Sequence, residues 1–435
     1  MILSTNQVFG VSSDRVRSYI ERNDVDKNFV DGLSHNRHIV VFGSSKQGKT
    51  ALTIEHLTPE QYVKVECSPL TKPIDIYKSI LRQLGIIFKE NHTESSSNEI
   101  SRSTLLKSTV CIPYTSVDST VSNVAKSTSS SGDQYKHVEY NLNLAQDISE
   151  ILISIGFNKR IILENFHYLD EEVQQKMAFD LRTFEGYKIL FIILGIWREK
   201  NRLSQFNGDL QDRIIEIPVE PWEKTHLKEI ITKGKHLLNV LIPDSIFEEI
   251  YRNSFGSVGV FQELCKESCY AAGTNKTEDV IREIDIECVK KAIDKKINDY
   301  SSRHIRSLET FINQQHKTSD DIPLYIPYYF LVFLINTEIK KIEDGFRRAD
   351  IHSSIQNIHH NPERVRASDI SNFLYNITKF QISKKIQPPI FDYDRSTKKM
   401  RIIDSTLYFF LKNTDKQELL DSFDTPIEIK GITGY

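Results

Sequence analysis

Eight residues, Gly43-Ser44-Ser45-Lys46-Gln47-Gly48-Lys49-Thr50, carry the most chemical information in this 435-residue chain. Gly43 and Gly48 let the backbone curl, so that consecutive N–H groups across Ser44, Ser45, Lys46 and Gln47 turn toward one point. A helix beginning at Lys49 adds the positive end of its dipole. In such a loop the Lys49 ammonium reaches the β- and γ-phosphates of a nucleotide, and the Thr50 hydroxyl is a ligand for Mg²⁺. The pattern is specific when a strand precedes it and a helix follows. Arg37 to Phe42 (RHIVVF) reads as a short β-branched strand, and Lys49 to His56 as a helix. The expectation is a site for ATP with Mg²⁺. A chance glycine loop would need both flanks to be coincidental.

Such a loop needs a carboxylate at the end of a neighbouring strand to hold the magnesium shell. Glu164 meets that need, closing Ile161-Ile162-Leu163-Glu164-Asn165; its plainer reading is a strand-end carboxylate. The common pattern is Asp followed by Glu, the Glu polarising the attacking water. Here Asn165 takes the second place, and an amide cannot accept the proton, which argues against general-base catalysis from that position. Asp170, Glu171 and Glu172 can substitute, or can simply open the next helix where acidic residues suit its dipole. Gly195-Ile196-Trp197-Arg198 ends an apolar strand where a γ-phosphate sensor usually sits, so Arg198 is either that sensor or a surface residue. Arg213, after Asp209-Leu210-Gln211-Asp212, is either an arginine finger toward a neighbouring subunit or the partner of Asp209 or Asp212.

The elements that must position these groups alternate. Further strands are predicted at Tyr62 to Glu66, Arg160 to Leu163, Lys188 to Gly195 and Ile214 to Pro218. Helices are predicted at Arg17 to Leu33, Ile74 to Leu84, Asn143 to Ile155 and Glu171 to Phe184. The nearly all-apolar Lys188 to Gly195 belongs inside a parallel sheet covered on both faces, with nucleotide chemistry at the strands' carboxyl ends. From about Glu90 to Tyr140 Ser and Thr dominate without a period, and the segment reads as a flexible insertion with a hairpin around Val110 to Val117.

After Pro221 the pattern turns helical, with amphipathic runs at Lys224 to Leu237, Asp244 to Asn253, Val258 to Ala272 and Asp285 to Tyr300. Tyr325 to Ile335, Ile351 to Ile358 and Ala367 to Lys379 then read as three helices. Ile390 to Asp394 and Lys399 to Ile403 pair around Asp394-Arg395-Ser396-Thr397, which completes the outline of a winged helix. The expected fold class is an α/β P-loop fold over residues 1–222, with a helical lid over 223–300 and a winged-helix domain over 320–415.

Composition sets outer limits. Hydrophobic residues make up 39% and charged residues 26%, as in a globular protein with a full core. With 56 basic and 59 acidic residues the formal net charge is -3, so nucleic-acid binding would need a local basic patch. The longest apolar stretch, Tyr325 to Ile335, is too short to span a bilayer, and Met1 to Ser18 lacks the apolar centre of a secretory signal. The five cysteines form no CxxC pair. Cys265 and Cys269 lie one helical turn apart and read as packed thiols, with no partners at zinc spacing. A reducing cytoplasm is the expected home.

Taken together, Arg37 to Asn165 and the helices after them resemble an AAA+ ATPase. More narrowly, the resemblance is to the branch holding origin-recognition-type initiators, transposition ATPases and STAND signalling ATPases. It covers roughly residues 5 to 300, with the winged helix added. In these ATPases an opening segment of Arg plus acidic residues touches the base; Tyr19-Ile20-Glu21-Arg22-Asn23-Asp24-Val25-Asp26 is similar, which implies a base contact for Arg22. The run Glu164 to Leu169 (ENFHYL) and the Gly208-Asp209-Leu210 turn also resemble bacterial ATPases found beside antiviral and mobile-element genes.

Two departures bear on activity: Asn165 replaces the usual acid, and Gly259 stands in Phe255-Gly256-Ser257-Val258-Gly259 where the family's second sensor often supplies an Arg. Both departures favour a slow, nucleotide-gated switch that assembles with itself or with a protein partner, and the resemblance to those bacterial ATPases adds antiviral defence as a setting. The alternative is a DNA-binding ATPase of replication, transposition or defence. For that reading Arg364, Arg366, Lys379, Lys384, Lys385, Lys398, Lys399 and Arg401 supply phosphate contacts, diluted by Asp369, Asp392, Asp394 and Asp404. A small-molecule kinase would need an acceptor pocket, against which the lid and winged helix argue.

Overall fold

A computed structural model describes residues 2–11, 14–90, 108–113, 135–313 and 323–423. A one-turn helix α1 (Thr5–Val8) opens the chain, and α2 (Asp26–Ser34) comes next. The rhythm read from Arg17 becomes helix only at Asp26. The Asp26 carboxylate accepts from the Arg22 N–H at 2.8 Å and from the Tyr19 hydroxyl, and so holds the preceding residues in an irregular path. Then come β1 (His38–Phe42), α3 (Lys49–His56), β2 (Tyr62–Glu66) and α4 (Pro73–Gln83).

Next, β3 (Ile87–Glu90), β4 (Ser108–Pro113) and β5 (Tyr135–Tyr140) form a separate antiparallel sheet in that order. The expected insertion is therefore partly sheet. Val110 pairs with both Phe88 and Val138, whereas Val117 and the Ser/Thr-rich runs lie outside the described residues. The first region is completed by α5 (Ala145–Ser154), β6 (Arg160–Glu164), α6 (Glu171–Gly186), β7 (Phe191–Gly195), α7 (Arg202–Phe206) and β8 (Ile214–Pro218).

These strands build a five-stranded sheet in the order β2-β6-β7-β1-β8, parallel throughout. Alternation along β1 sorts the faces. Val40 and Phe42 pack with Ile76, Ile148 and Leu181 from α4, α5 and α6, while Ile39 and Val41 pack with Phe29 and Leu52 from α2 and α3. With β7 inserted between β1 and β6, the carboxyl ends of all three open onto one site. This is the AAA+-like arrangement of the α/β P-loop fold.

The lid comprises α8 (Lys224–Leu238), β9 (Val240–Leu241), α9 (Asp244–Ser254), α10 (Val258–Ala271), β10 (Arg282–Glu283) and α11 (Ile286–Ile312). Helix α11 continues twelve residues past the expected end at Tyr300, because His304, Leu308 and Phe311 remain buried there: His304 packs on Phe410, and Phe311 on Phe330. Cys265 and Cys269 are buried free thiols of the lid core.

The last region holds α12 (Ile326–Asn336), α13 (Ile339–Asp344), β11 (Phe346–Arg347), α14 (Arg348–Ile358), α15 (Ala367–Tyr375), α16 (Ile377–Ser383), β12 (Phe391–Asp394), β13 (Lys399–Ile402), α17 (Ser405–Asn413) and α18 (Lys416–Asp421). A three-stranded antiparallel sheet, β11-β13-β12, makes it a winged helix. The single helix read over Ala367 to Lys379 breaks at Asn376, whose side chain donates to Asn372 O at 2.9 Å. Asp394 closes the hairpin by accepting from the Ser396 and Thr397 N–H groups at 2.8 and 3.0 Å. Among the described residues no helix is long and apolar enough to cross a membrane.

Candidate nucleotide site

Accounting for the polar groups of the phosphate loop shows how it is oriented. Each carbonyl from Gly43 to Gly48 has a donor. Lys49 Nζ serves Gly43 O at 3.0 Å and Ser44 O at 2.6 Å. The Ser405 hydroxyl serves Ser45 O at 2.8 Å, and the Gly259 N–H serves Lys46 O at 2.9 Å. Trp222 Nε1 serves Gln47 O at 3.3 Å, and the Leu52 N–H serves Gly48 O at 2.9 Å. Of the N–H groups, Ser44's goes to Glu220 and Ser45's to Ile403 O, whereas those of Lys46 through Thr50 donate to no group among the described residues. They gather at the start of α3, where Gly48 sits at φ 85°. This concave array of donors at a helix N-terminus suits an anion.

The array opens into a cavity of about 590 Å³, walled also by Gly10, Val11, Tyr19, Ile20, Trp222 and Gln262. Lys49 is half-buried, and burial pushes its pKa down to about 8 against the pull of Glu220 and Glu164. Opposite, Glu164 Oε1 accepts from the Thr50 hydroxyl at 2.7 Å while Oε2 accepts from Lys64 Nζ at 3.0 Å. Glu164 thus stands beside Thr50 at the carboxyl end of β6. Asn165 also lines the cavity; it turns the chain off β6 at φ 59°, a conformation that Asn tolerates better than most residues.

None of the arginines expected at this site, Arg22, Arg198 and Arg213, lines the cavity. Arg198 reaches the loop but is engaged there: Nε donates to Ser44 Oγ at 2.8 Å and Nη2 to Glu220 Oε1 at 2.9 Å. Arg22 turns away from the cavity, stacks on Trp222 at 3.7 Å and donates to Val219 O, so that Tyr19 and Ile20 are what its segment brings to the wall. Arg213 precedes β8, at the end of the sheet remote from the loop. Its partner is Glu185 at 3.3 Å, not Asp209 or Asp212.

The outer side of the loop is covered by the lid and the winged helix. Gly259 has no room for a side chain: a Cβ would lie 2.5 Å from Lys46 Cβ and 2.7 Å from Lys46 O. The lid helix α10 can approach this closely only because no sensor Arg stands there. Lys46 projects outward to the Tyr300 hydroxyl at 3.4 Å, and burial lowers its pKa to about 8. From the winged helix, Ile403 O takes the Ser45 N–H at 2.9 Å, the Ser405 N–H donates to Ser45 Oγ at 3.1 Å, and Gln47 Nε2 donates to Ser405 Oγ at 3.3 Å. Asp404, almost wholly buried, accepts from Ser45 Oγ at 3.3 Å, caps α17 through the Thr406 N–H and pairs with Arg303.

Sequence reasoning missed Glu220, Trp222, Tyr300 and the Ile403–Ser405 corner. None belongs to a motif, and only Trp222, one of two tryptophans, was conspicuous. On the winged helix, Asp392, Asp394 and Asp404 do not dilute a surface patch, because all three are buried with internal partners.

No protein-family model matches the sequence, and no curated protein matches it. Among solved structures, the chain is similar to the Walker-type ATPase PABY2304 of Pyrococcus abyssi, with 12% identity over 92% of this chain and 97% of that one and a TM-score of 0.48. It is also similar to Cdc6p from Pyrobaculum aerophilum (14% identity, 97% and 99% covered, TM-score 0.40). A third likeness is to the Aeropyrum pernix Orc1 protein solved in complex with DNA (10% identity, 97% and 96% covered, TM-score 0.45). At these values the likenesses concern the path of the chain alone; the fold assignment rests on the strand order described above.

Proposed function

We propose that this chain is a nucleotide-gated switch: ATP with Mg²⁺ binds on the inner side of the phosphate loop and sets whether the lid and winged helix stay docked on its outer side. Docking in turn sets whether the chain assembles with itself or with a protein partner. The observation that carries this reading is the set of hydrogen bonds at Ser45, within the loop itself: Ile403 and Asp404 accept from it and Ser405 donates to it. Any movement of that loop on binding phosphate alters the winged-helix contact, and by linkage the contact alters affinity for the nucleotide.

Thr50 and Glu164 fit a magnesium role, since a hydroxyl and a carboxylate 2.7 Å apart are the hard oxygen donors such an ion accepts. Among the described residues no group of three or more Asp, Glu, His or Cys side chains is placed to hold a metal ion, so phosphate and water would supply the rest of the shell. When bound, the ion would offset charge on the β- and γ-phosphates. Lys49, freed from the Gly43 and Ser44 carbonyls, would do the same from the other side. Asn165 cannot take a proton, which makes hydrolysis slow. Arg198 becomes a γ-phosphate contact only after leaving Glu220, and Arg213 reaches a nucleotide only on a neighbouring copy. The cytoplasmic setting and the link to antiviral defence rest on composition and on the sequence resemblance.

The test is to measure mass in solution and hydrogen exchange with and without ATP and Mg²⁺, beside a turnover assay. The expected result is altered protection across 402–406 or altered mass at low turnover. Rapid steady-state hydrolysis by the isolated chain would sink the slow-switch reading.

The winged helix favours a second reading, a DNA-linked ATPase. Its α15–α16 face lines a cleft of about 650 Å³ whose far wall carries Asp170, Glu171, Glu172 and Glu199. A duplex would meet those carboxylates, so the two regions would have to part first. Salt-sensitive duplex binding that survives Lys49→Ala and is lost with Arg364→Glu and Arg366→Glu would favour this reading.

A further inference from the structure

Past Asn165 the chain makes a single 3-10 turn over Phe166–Tyr168. Phe166 enters the core edge-on to Trp197, and His167 becomes part of the cavity wall shared with Lys49, Thr50 and Glu164. The residue is 4% exposed, and neither Nδ1 nor Nε2 has a hydrogen-bond partner among the described residues.

Other buried histidines here differ. His38 bonds Leu181 O through Nε2 and the Phe191 N–H through Nδ1, and His359 bonds Leu324 O and the Asn361 N–H. His304 keeps one bond, to the Thr406 hydroxyl. Leaving a buried donor or acceptor unmet is costly, and a phenyl ring would fill the same space without that cost. A polar ring retained at that cost calls for a partner that comes and goes. Burial first, then the Lys49 and Arg202 charges, lower its pKa to about 3. The ring is therefore neutral, with one N–H to donate.

In the nucleotide reading of the cavity, the group that comes to Lys49 is a terminal phosphate. We propose that His167 is a terminal-phosphate contact, its imidazole N–H donating to a γ-phosphate oxygen and so distinguishing a nucleoside triphosphate from a diphosphate. This rests on the nucleotide reading of the cavity. The assignment also gives Asn165 a companion: the turn that removes the usual acid from the strand end carries a donor to the place where a third phosphate would add charge. His167 lines the cleft toward α15–α16 as well, so the same ring separates the phosphate end of the cavity from the winged helix.

The test compares ADP and the non-hydrolysable β,γ-imido analogue of ATP, each with Mg²⁺, by calorimetry on the full chain. His167→Phe is expected to weaken the imido analogue about tenfold, the loss of one hydrogen bond to a charged group, and to leave ADP within about twofold. His167→Asn restores part of the difference. Equal weakening of both ligands, or of neither, overturns the proposal. If the unsubstituted chain binds neither ligand, the nucleotide reading fails and takes this assignment with it. Should His167→Phe not fold, the imidazole ¹⁵N signals of the unsubstituted chain decide: the His167 ring must shift with the imido analogue and not with ADP, and an unmoved signal overturns the proposal.

Discussion

The inner face of the phosphate loop offers the N–H groups from Lys46 to Thr50 and the Lys49 and Thr50 side chains to a cavity, whereas its outer face offers the Ser45 N–H and hydroxyl and the carbonyls of Ser45 and Lys46 to two other parts of the chain. The inner face is made by residues adjacent in sequence. The outer face is made by Gly259, Tyr300 and Ile403 to Ser405, hundreds of residues away. One strip of backbone therefore serves two purposes: the N–H groups from Lys46 onward face the cavity, while the Ser45 N–H and the Ser45 and Lys46 carbonyls hold the lid and winged helix. The comparison predicts that substitutions on the two faces separate affinity from domain arrangement.

The largest effect belongs to the inner face. Lys49→Ala removes the ammonium nearest the phosphates and should weaken ATP by roughly 3 kcal/mol or more, about a hundredfold. The lid and winged helix should stay docked, as read by scattering. If the regions part in this variant, the two faces are not separable.

On the outer face, Asp404→Ala strips Arg303 and Ser45 of a partner and removes the cap of α17. The expected cost is about 3 kcal/mol, seen as a lower melting temperature and faster exchange across 402–406. Affinity for ADP should change far less than with Lys49→Ala, and equal changes would erase the distinction between faces. A smaller effect on the same side is expected from Gly259→Ala, whose methyl would meet Lys46 O at 2.7 Å. Displacing α10 should cost about 1–3 kcal/mol and raise exchange in the lid with little change in ADP binding.

The contrast between faces also explains what was legible in the sequence. The loop, the strand before it, α3, β2 and β8 emerge from local pattern, and Glu164 from its place at the end of an apolar strand. The outer face was not legible because its donors are backbone groups and common hydroxyls. Ser45 and Ser405 carry no signal until folding places them 2.8 Å apart. Gly259 read as a lost sensor, and its physical role is the close approach it permits. Arg22 and Arg213 illustrate the converse. Each is conspicuous by type, yet each is held by a local partner, Trp222 or Glu185, that sequence spacing does not reveal.

The smallest predicted effect compares two lysines of the loop. Burial lowers both Lys49 and Lys46 to about 8 from the ordinary 10.5, the first facing Glu220 and Glu164, the second facing Glu263 among Lys296, Arg303 and Lys266. A depressed lysine means that the folded chain binds fewer protons than the unfolded one between the two values. The cost of burying each charge is therefore present in full below pH 8 and is relieved as pH rises through that window, and stability gains accordingly. Binding separates the pair. Phosphate beside Lys49 restores its proton, so ATP binding near pH ~8.5 should take up a fraction of a proton and weaken as pH rises, whereas near pH ~6.5 it should take up none at this site. Calorimetry in two buffers of different ionisation heat reads the uptake directly. Lys46→Met should leave that uptake intact and remove only its own share of the pH dependence of melting. Loss of the uptake in Lys46→Met would mean that the outward-facing ammonium is the one that feels phosphate, and would reverse the assignment of the two faces.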